Sequence, residues 1–231
     1  METKKVEWQL VILVCSIIII MIMGVRQSLG LFLDPITNFM NSGKEFFSFA
    51  IGVQAIIWGL VTFFLGILID KFGPQKVLAF GIISFASGIF LMSNPTSEFT
   101  LFSATTLMGF GLGGAGMATM VSIAGKVAPV NKRSLAMGLV AAAASFGQFA
   151  VVLPTMWMNK AFGWETSLIV LASVVIGLLI FLPLLNSTNN KSNSAQDFGN
   201  SLQQTIMFSL REKNYILLIS GFFVCGFHVT F

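Results

Sequence analysis

Charged residues are scarce in this sequence. Only 10% of the 231 residues are Asp, Glu, Lys or Arg, whereas 55% are hydrophobic and the mean hydropathy is +0.88. A soluble domain carries about 25% charged residues, so the composition excludes a soluble globular enzyme. One histidine, one tyrosine and nine acidic residues leave little material for acid–base catalysis or for a metal site. We therefore expect no catalytic residue, no metal and no cofactor.

Cysteine is also rare. Cys15 and Cys225 each lie inside an apolar run, an arrangement that predicts neither a disulfide framework nor a cysteine metal site. The formal net charge is +4 at pH 7, but the basic residues form no continuous stripe. We therefore expect no nucleic-acid partner.

Long apolar runs dominate the sequence instead. A membrane span needs roughly 20 apolar residues, and six runs have about that length. The predicted spans are 8–33, 46–69, 77–93, 99–125, 134–158 and 164–185. A seventh run begins at Tyr215 and reaches Phe231, where we expect an incomplete span. The sequence thus predicts an all-α polytopic membrane protein, with the lipid bilayer as its surroundings.

Residues 186–213 separate this seventh run from the first six. The stretch begins with a polar run rich in Asn and Ser, which is typical of a flexible linker. Leu202, Ile206 and Leu210 follow at helical spacing and predict a short interfacial helix. We divide the chain into a six-span domain at 1–185, a cytoplasmic central loop at 186–213 and the start of span seven at 214–231.

Basic residues between the spans predict the orientation. If the N-terminus lies inside, ten lysines and arginines fall in inner segments and two, Lys44 and Lys160, in outer segments. The inner ones are Lys4, Lys5, Lys71, Lys76, Lys126, Lys132, Arg133, Lys191, Arg211 and Lys213. This bias predicts a cytoplasmic N-terminus and, with the spans, a multi-pass protein of the plasma (inner) membrane.

The six spans contain an internal repeat. Three short matches relate spans two and three to spans five and six, with offsets of 86, 90 and 89 residues. They pair Ser48 and Gly52 with Ser134 and Gly138, Gly73 with Gly163, and Ser84 and Gly88 with Ser173 and Gly177. A unit of three spans re-enters the membrane from the opposite side, so the repeats are inverted. Inverted three-span repeats are a transporter architecture.

The loop after span two carries a specific motif, over residues 66–76. It follows the pattern G-x-x-x-D-[RK]-x-G-[RK]-[RK] at Gly66, Asp70, Lys71 and Gly73. Pro74 and Gln75 replace the two final basic residues, and Lys76 follows them. An ordinary cytoplasmic turn is the alternative interpretation. A carboxylate at a helix C-terminus opposes the helix dipole, however, and therefore benefits from an external partner.

With this motif, six spans and a polar central loop, the chain resembles the N-terminal half of a major facilitator superfamily transporter over essentially its whole length. Residues 24–33 resemble span one of bacterial monocarboxylate or oxalate/formate-type carriers, and residues 226–228 resemble their span seven. The resemblance implies a six-helix half-bundle of two inverted three-helix repeats plus a partial seventh helix. It also implies that the motif, through Asp70, braces this half against its mate and favours the outward-open state.

Arg26 is the one basic residue inside a predicted span. A charge at depth costs on the order of 3 kcal/mol and usually marks a transport pathway. The alternative is that Arg26 extends to the outer surface, but helical side chains lean toward the N-terminus and therefore inward here. Asp34 lies eight residues further on, roughly 12 Å along the helix axis. We expect the counter-charge to be either a carboxylate in a missing half or an anionic substrate.

Three further polar residues accompany Arg26 as candidate substrate contacts. Gln54 in span two lies at a depth similar to that of Arg26, and Gln148 lies near the middle of span five. For both glutamines the alternative role is a helix–helix hydrogen bond. His228 in span seven either contacts or titrates with the substrate, or packs as a buried histidine.

These observations predict a secondary carrier that works by alternating access on a small organic anion such as a monocarboxylate. An exporter of drugs or neutral solutes remains an alternative, as does a truncated membrane protein that transports nothing. Because a carrier of this family closes two six-span halves around one site, we expect a missing C-terminal half or a second copy as partner.

One motif of a soluble enzyme occurs out of context. Residues 111–116 read G-x-G-x-x-G, the dinucleotide fingerprint, which needs a preceding strand and an acidic residue about 20 positions on. This copy lies in an apolar run, and no Asp or Glu occurs between Glu98 and Glu165. We predict that it binds no nucleotide, and that Gly109 and Gly113 allow a neighbouring helix to approach closely.

Overall fold

The computed structural model of the protein describes residues 8–188 with Leu217, Ser220 and Gly221, apart from the side chains of residues 67, 70, 71 and 186–188. Every regular element in this part of the chain is helical, which confirms the predicted all-α class. The predicted interfacial helix lies outside the described residues, as does nearly all of the central loop and of span seven. The division of the chain at residues 185 and 213 stays a prediction.

Nine α-helices occur in the described part of the chain. They are α1 (Trp8–Ser28), α2 (Leu33–Met40), α3 (Lys44–Phe72), α4 (Pro74–Met92), α5 (Glu98–Ala115), α6 (Met117–Val127), α7 (Arg133–Ala150), α8 (Val152–Phe162) and α9 (Trp164–Gly177). Three 3-10 segments connect or extend them, at Leu29–Phe32, Val130–Lys132 and Leu178–Thr188.

Six helical stretches are long and apolar enough to cross a membrane, as the sequence predicts. Spans one to six are Trp8–Met40, Lys44–Gly66, Pro74–Met92, Glu98–Val127, Val130–Phe162 and Trp164–Leu185. Span one continues seven residues past its predicted end at Leu33. Pro35 allows this because it lies in the first turn of α2, where a proline has no intrahelical hydrogen bond to lose.

Spans four and five are interrupted near their middle, whereas the sequence predicts continuous runs. In span four, Gly116 has an extended backbone (φ −83°, ψ −171°) and separates α5 from α6. In span five, α7 ends at Ala150. Pro154 lacks the N–H that would bond to the Ala150 carbonyl, which explains the interruption.

Glycines hold two pairs of spans in close contact. A Cβ added to Gly24 of span one would lie 2.5 Å from the Gly147 carbonyl oxygen of span five. A Cβ added to Gly113 of span four would lie 2.7 Å from a methyl carbon of Val61 in span two, which confirms the packing role predicted for Gly113. These contacts are equivalent under the repeat, because Gly24 and Gly113 are 89 positions apart and Val61 and Gly147 are 86 apart.

Gly73 and Gly163 show the same equivalence in the loops. Gly73 ends α3 with φ 86° and ψ 154°, and Gly163 ends α8 with φ 84° and ψ 163°. A positive φ favours glycine over residues with a Cβ. The two repeats therefore make the same turn where one span gives way to the next.

The aromatic side chains lie mainly on the outside of the bundle. Phe49, Phe63 and Phe64 of α3 are all more than half exposed, whereas the buried core contains Ile18 and Ile22 of α1 and Phe85 of α4. Large apolar side chains on the outside of a bundle are typical of helices that face lipid.

Candidate functional site

The site begins with Arg26 in the last turn of α1. Arg26 lies 18 residues after Trp8 and 14 before Met40, so it stands near the middle of span one. The side chain is half-buried, and its Nε atom is buried without a hydrogen-bond partner. Arg26 therefore lies in the central part of a candidate membrane span with donor capacity left over, and its role in substrate binding stays a prediction.

Trp58 of α3 holds this side chain. The guanidinium carbon of Arg26 lies 4.8 Å from the centroid of the Trp58 ring, a cation–π distance. Trp58 is the middle residue of α3 and therefore also stands near the middle of its span. We did not predict Trp58 from the sequence, although it follows the candidate Gln54 by one helical turn.

The interruption of span four lies against the same tryptophan. A Cβ added to Gly116 would lie 3.2 Å from the indole Nε1 of Trp58. Helix α6 begins directly after Gly116, and the first N–H groups of a helix have no intrahelical partner. The positive end of the α6 dipole therefore lies within span four, beside Trp58.

Asp34 is paired elsewhere. Its carboxylate lies 2.6 Å from the Lys44 ammonium, across the turn between α2 and α3, and both side chains are 66% exposed. Asp34 is therefore not the counter-charge of Arg26. In the part of the chain that the structure describes, Arg26 has no ion-pair partner.

Gln54 is buried in the contact between spans two and four. The residue is 1% exposed, and its Nε2 atom has no hydrogen-bond partner within the described residues. Its backbone carbonyl oxygen would lie 2.9 Å from a Cβ added to Gly109, which confirms the close approach predicted at that glycine. Gln54 lies one turn before Trp58 along α3, and its role as a substrate contact stays a prediction.

Gln148 lies on span five, next to the contact with span one. Gln148 is half-buried and follows Gly147, which packs against Ile20 of α1. Ile20 precedes Arg26 by six residues, roughly 9 Å along the helix. His228 lies outside the described residues. The roles proposed for these two side chains stay predictions.

The motif after span two forms a tight helix–turn–helix. α3 runs to Phe72, and the Gly73 N–H donates to the Ile69 carbonyl over 3.0 Å. Pro74 begins α4, where a missing N–H is tolerated. Gly66 and Lys76 are exposed. The side chains of Asp70 and Lys71 lie outside the described part, and their bracing role stays a prediction.

Gln75, which departs from the pattern, has a structural role of its own. Its Nε2 donates to the Leu182 carbonyl over 2.9 Å and joins α4 to the 3-10 segment at the end of span six. That segment contains Pro183, whose missing N–H affects a carbonyl three residues earlier and not that of Leu182. The Gln75 side chain therefore links α4 directly to the backbone at the end of span six.

The described residues hold no group of three or more His, Cys, Asp or Glu side chains able to bind a metal. Cys15 is a buried free thiol. Close to Arg26 the chain presents an indole and a helix N-terminus, with the Gln54 amide one turn from that indole.

Comparison with known proteins identifies a family and several related transporters. The sequence model of the Major Facilitator Superfamily matches residues 13–231. An uncharacterized MFS-type transporter of Bacillus subtilis, YcxA, is 26% identical over 97% of this chain and 55% of its own length. The agnestins efflux protein AgnL12 of Paecilomyces divaricatus is 27% identical over 71% of this chain and 36% of its own length.

A third relative is the vesicular acetylcholine transporter of Drosophila melanogaster, 31% identical over 62% of this chain and 26% of its own length. The chain thus spans about half the length of YcxA and smaller shares of the other two. The names of AgnL12 and of the vesicular transporter give different cargoes, agnestins and acetylcholine.

Proposed function

Because the chain belongs to the Major Facilitator Superfamily, a class of membrane transporters and not of enzymes, we propose that it forms part of a secondary carrier for a small organic anion. A monocarboxylate is the substrate class that we favour. The carrier works by alternating access, with the substrate bound near the middle of the membrane, where carriers built from inverted repeats bind their substrates.

The observation that carries this proposal is the state of Arg26. Its guanidinium is at mid-span, its buried Nε has no partner, and the nearest acidic residue of its own span, Asp34, is paired with Lys44. A guanidinium donates two parallel hydrogen bonds to one carboxylate. An incoming carboxylate would therefore both neutralise the charge and use the free donors.

The interruption of span four at Gly116 also favours a negatively charged substrate. Half-helix N-termini at mid-membrane point their positive ends at anionic groups of substrates. The N-terminus of α6 lies against Trp58, which also contacts Arg26. Both the side-chain charge and the helix dipole therefore favour an anion.

The rival is an exporter of neutral or drug-like solutes, for which the name of AgnL12 is a precedent. Trp58 offers an aromatic face to such compounds. A cationic substrate of the acetylcholine type fits poorly, because Arg26 already supplies an uncompensated positive charge there. Two substrate classes remain, and they differ in which compounds would protect Arg26 from chemical modification. Acids would protect it in an anion carrier, and neutral compounds would protect it in an exporter.

We further propose that the motif at residues 66–76 acts on the balance between outward-open and inward-open states. We also propose a location in the plasma membrane with a cytoplasmic N-terminus, the orientation that the basic loops predict. Six spans provide one wall of a site, so a second six-span half or a second copy completes the carrier. The intact mass of the protein from its native membrane distinguishes these: about twice 25.0 kDa for a fused second half, 25.0 kDa for separate copies.

Uptake of labelled lactate into proteoliposomes tests the anion proposal. We expect Arg26→Ala to lower uptake at least tenfold, because charge-assisted hydrogen bonds contribute about 1.5–3 kcal/mol each. Arg26→Lys should retain part of the activity. Lys160→Ala is the matched control, since it removes an exposed positive charge from α8. Undiminished uptake by Arg26→Ala would refute the anion role.

Chemical protection separates the two substrate classes. Phenylglyoxal modifies arginines, and mass spectrometry of peptides distinguishes Arg26 from Arg133. Lactate should slow modification of Arg26 and leave that of Arg133 unchanged. Protection of Arg26 by neutral solutes, and not by acids, would favour the exporter.

A further inference from the structure

A groove separate from the Arg26 site runs between α6 and α7, where span four ends and span five begins. Its volume is about 470 Å³, within the range of small-molecule sites. Residues that line it include Val121, Ser122, Gly125 and Lys126 of α6 and Arg133 and Met137 of α7. The groove therefore has two helical walls and two basic side chains.

The groove changes character along the membrane normal. Lys126 lies in the last turn of α6 and Arg133 in the first turn of α7, so both charges stand at the same end. Val121 and Met137 each lie about one turn further into the span, since they are five and four residues away. The mouth is cationic and the deeper part is apolar.

Trp8 marks the level of this mouth. The Lys132 ammonium lies 5.5 Å from the centroid of the Trp8 ring, and Arg133 is the next residue. Tryptophans are enriched at the boundary between hydrocarbon and headgroups. The basic end of the groove is thus at headgroup depth, and its apolar part is at the depth of acyl chains.

Charge and shape at this end are both suited to an anion. Residues 126–133 contain three basic residues and no acidic one. Gly125 allows Met137 to pack closely beside it, because an added Cβ would lie 3.1 Å from the sulfur of Met137. Basic pockets between spans on the cytoplasmic side are sites for anionic lipid headgroups.

We propose that this groove binds an anionic phospholipid. Its headgroup phosphate lies between Lys126 and Arg133, and an acyl chain follows Val121 and Met137 inward. A soluble anion would gain nothing from the apolar part, whereas a phospholipid matches both parts in order. The occupant is therefore a lipid of the adjoining leaflet and not the transported substrate.

Native mass spectrometry of the detergent-solubilised protein tests this with palmitoyl-oleoyl phosphatidylglycerol against the phosphatidylcholine of the same chains. We expect tighter binding of phosphatidylglycerol, and about 25-fold weaker binding after Lys126→Gln with Arg133→Gln, because each basic side chain contributes roughly fivefold. Lys132→Gln is the matched control, since it removes a charge from the same loop outside the groove. Equal binding of the two lipids would overturn the proposal, as would equal losses in Lys132→Gln and Arg133→Gln.

Two further measurements do not depend on the stability of the charge variants. A phosphatidylglycerol with a photoreactive acyl chain should label the unmodified protein within residues 118–137, and labelling elsewhere would overturn the proposal. Glycerol 3-phosphate at millimolar concentration should leave the lipid bound, because it lacks the acyl chain. Its displacement of the lipid would identify the groove as a site for soluble phosphates instead.

Discussion

Arg26 and Trp58 face each other at mid-membrane, with the guanidinium carbon 4.8 Å from the ring centroid. Burial of a charge at this depth costs on the order of 3 kcal/mol, and a desolvated cation–π contact returns about 2 kcal/mol of it. The contact orients the guanidinium without neutralising it, and its buried Nε keeps an unused hydrogen. Trp58 therefore orients a positive charge that the proposed anionic substrate would neutralise.

This relationship makes Trp58 a positioning residue for the proposed substrate. Trp58→Ala should raise the KM for lactate uptake about fivefold, a change of about 1 kcal/mol, because the guanidinium loses its preferred orientation. Trp58→Phe keeps an aromatic face and should raise KM less. Both KM values are measured in proteoliposomes.

The control for these variants is Trp157→Ala. Trp157 is 64% exposed on α8 and pairs with Phe162, so its loss should leave KM unchanged. If Trp58→Ala has the KM of the parent, the contact with Arg26 plays no part in substrate binding.

The Asp34–Lys44 pair gives a second prediction. Asp34→Asn should change lactate uptake less than twofold and stability by less than 1 kcal/mol, because exposed ion pairs contribute little. Lys44→Gln should have the same small effect. Uptake and thermal unfolding of the same preparations test both expectations. Loss of transport in Asp34→Asn alone would mean that this carboxylate serves Arg26 during the transport cycle.

The sequence predicts the spans well because each apolar run has the length that the membrane imposes. The internal repeat can also be recognised in the sequence, because the equivalent turns at Gly73 and Gly163 both favour glycine. The interruption at Gly116 was not visible, because a glycine inside an apolar run is compatible with a continuous helix. Trp58 was missed for a related reason: an aromatic residue in a span usually faces lipid, and only the fold brings it to Arg26.

Gln75 gives a third prediction, at a position where the motif departs from its pattern. Gln75→Ala should lower the free energy of unfolding by about 1 kcal/mol, because the Leu182 carbonyl loses its donor. Gln75→Glu removes the donor with little change of shape and should cost at least as much. Thermal unfolding in detergent measures both variants. Lys76→Ala, at the exposed neighbouring position, should be neutral, and an equal loss there would assign the effect to the turn as a whole.

Gly147 offers the sharpest test of the packing between spans one and five. An added Cβ would lie 2.5 Å from the Ile20 Cα, and a backbone atom of a neighbouring helix cannot move aside as a side chain does. Gly147→Ala should therefore destabilise the protein by about 1–3 kcal/mol and lower its Tm.

Gly138→Ala is the matched control on the same helix, because nothing lies within 4 Å of its added Cβ. That substitution should be neutral or stabilise the helix by up to about 1 kcal/mol. Equal Tm values for the two variants would mean that span five does not contact span one at Ile20, and that the placement of Gln148 near α1 is wrong as well.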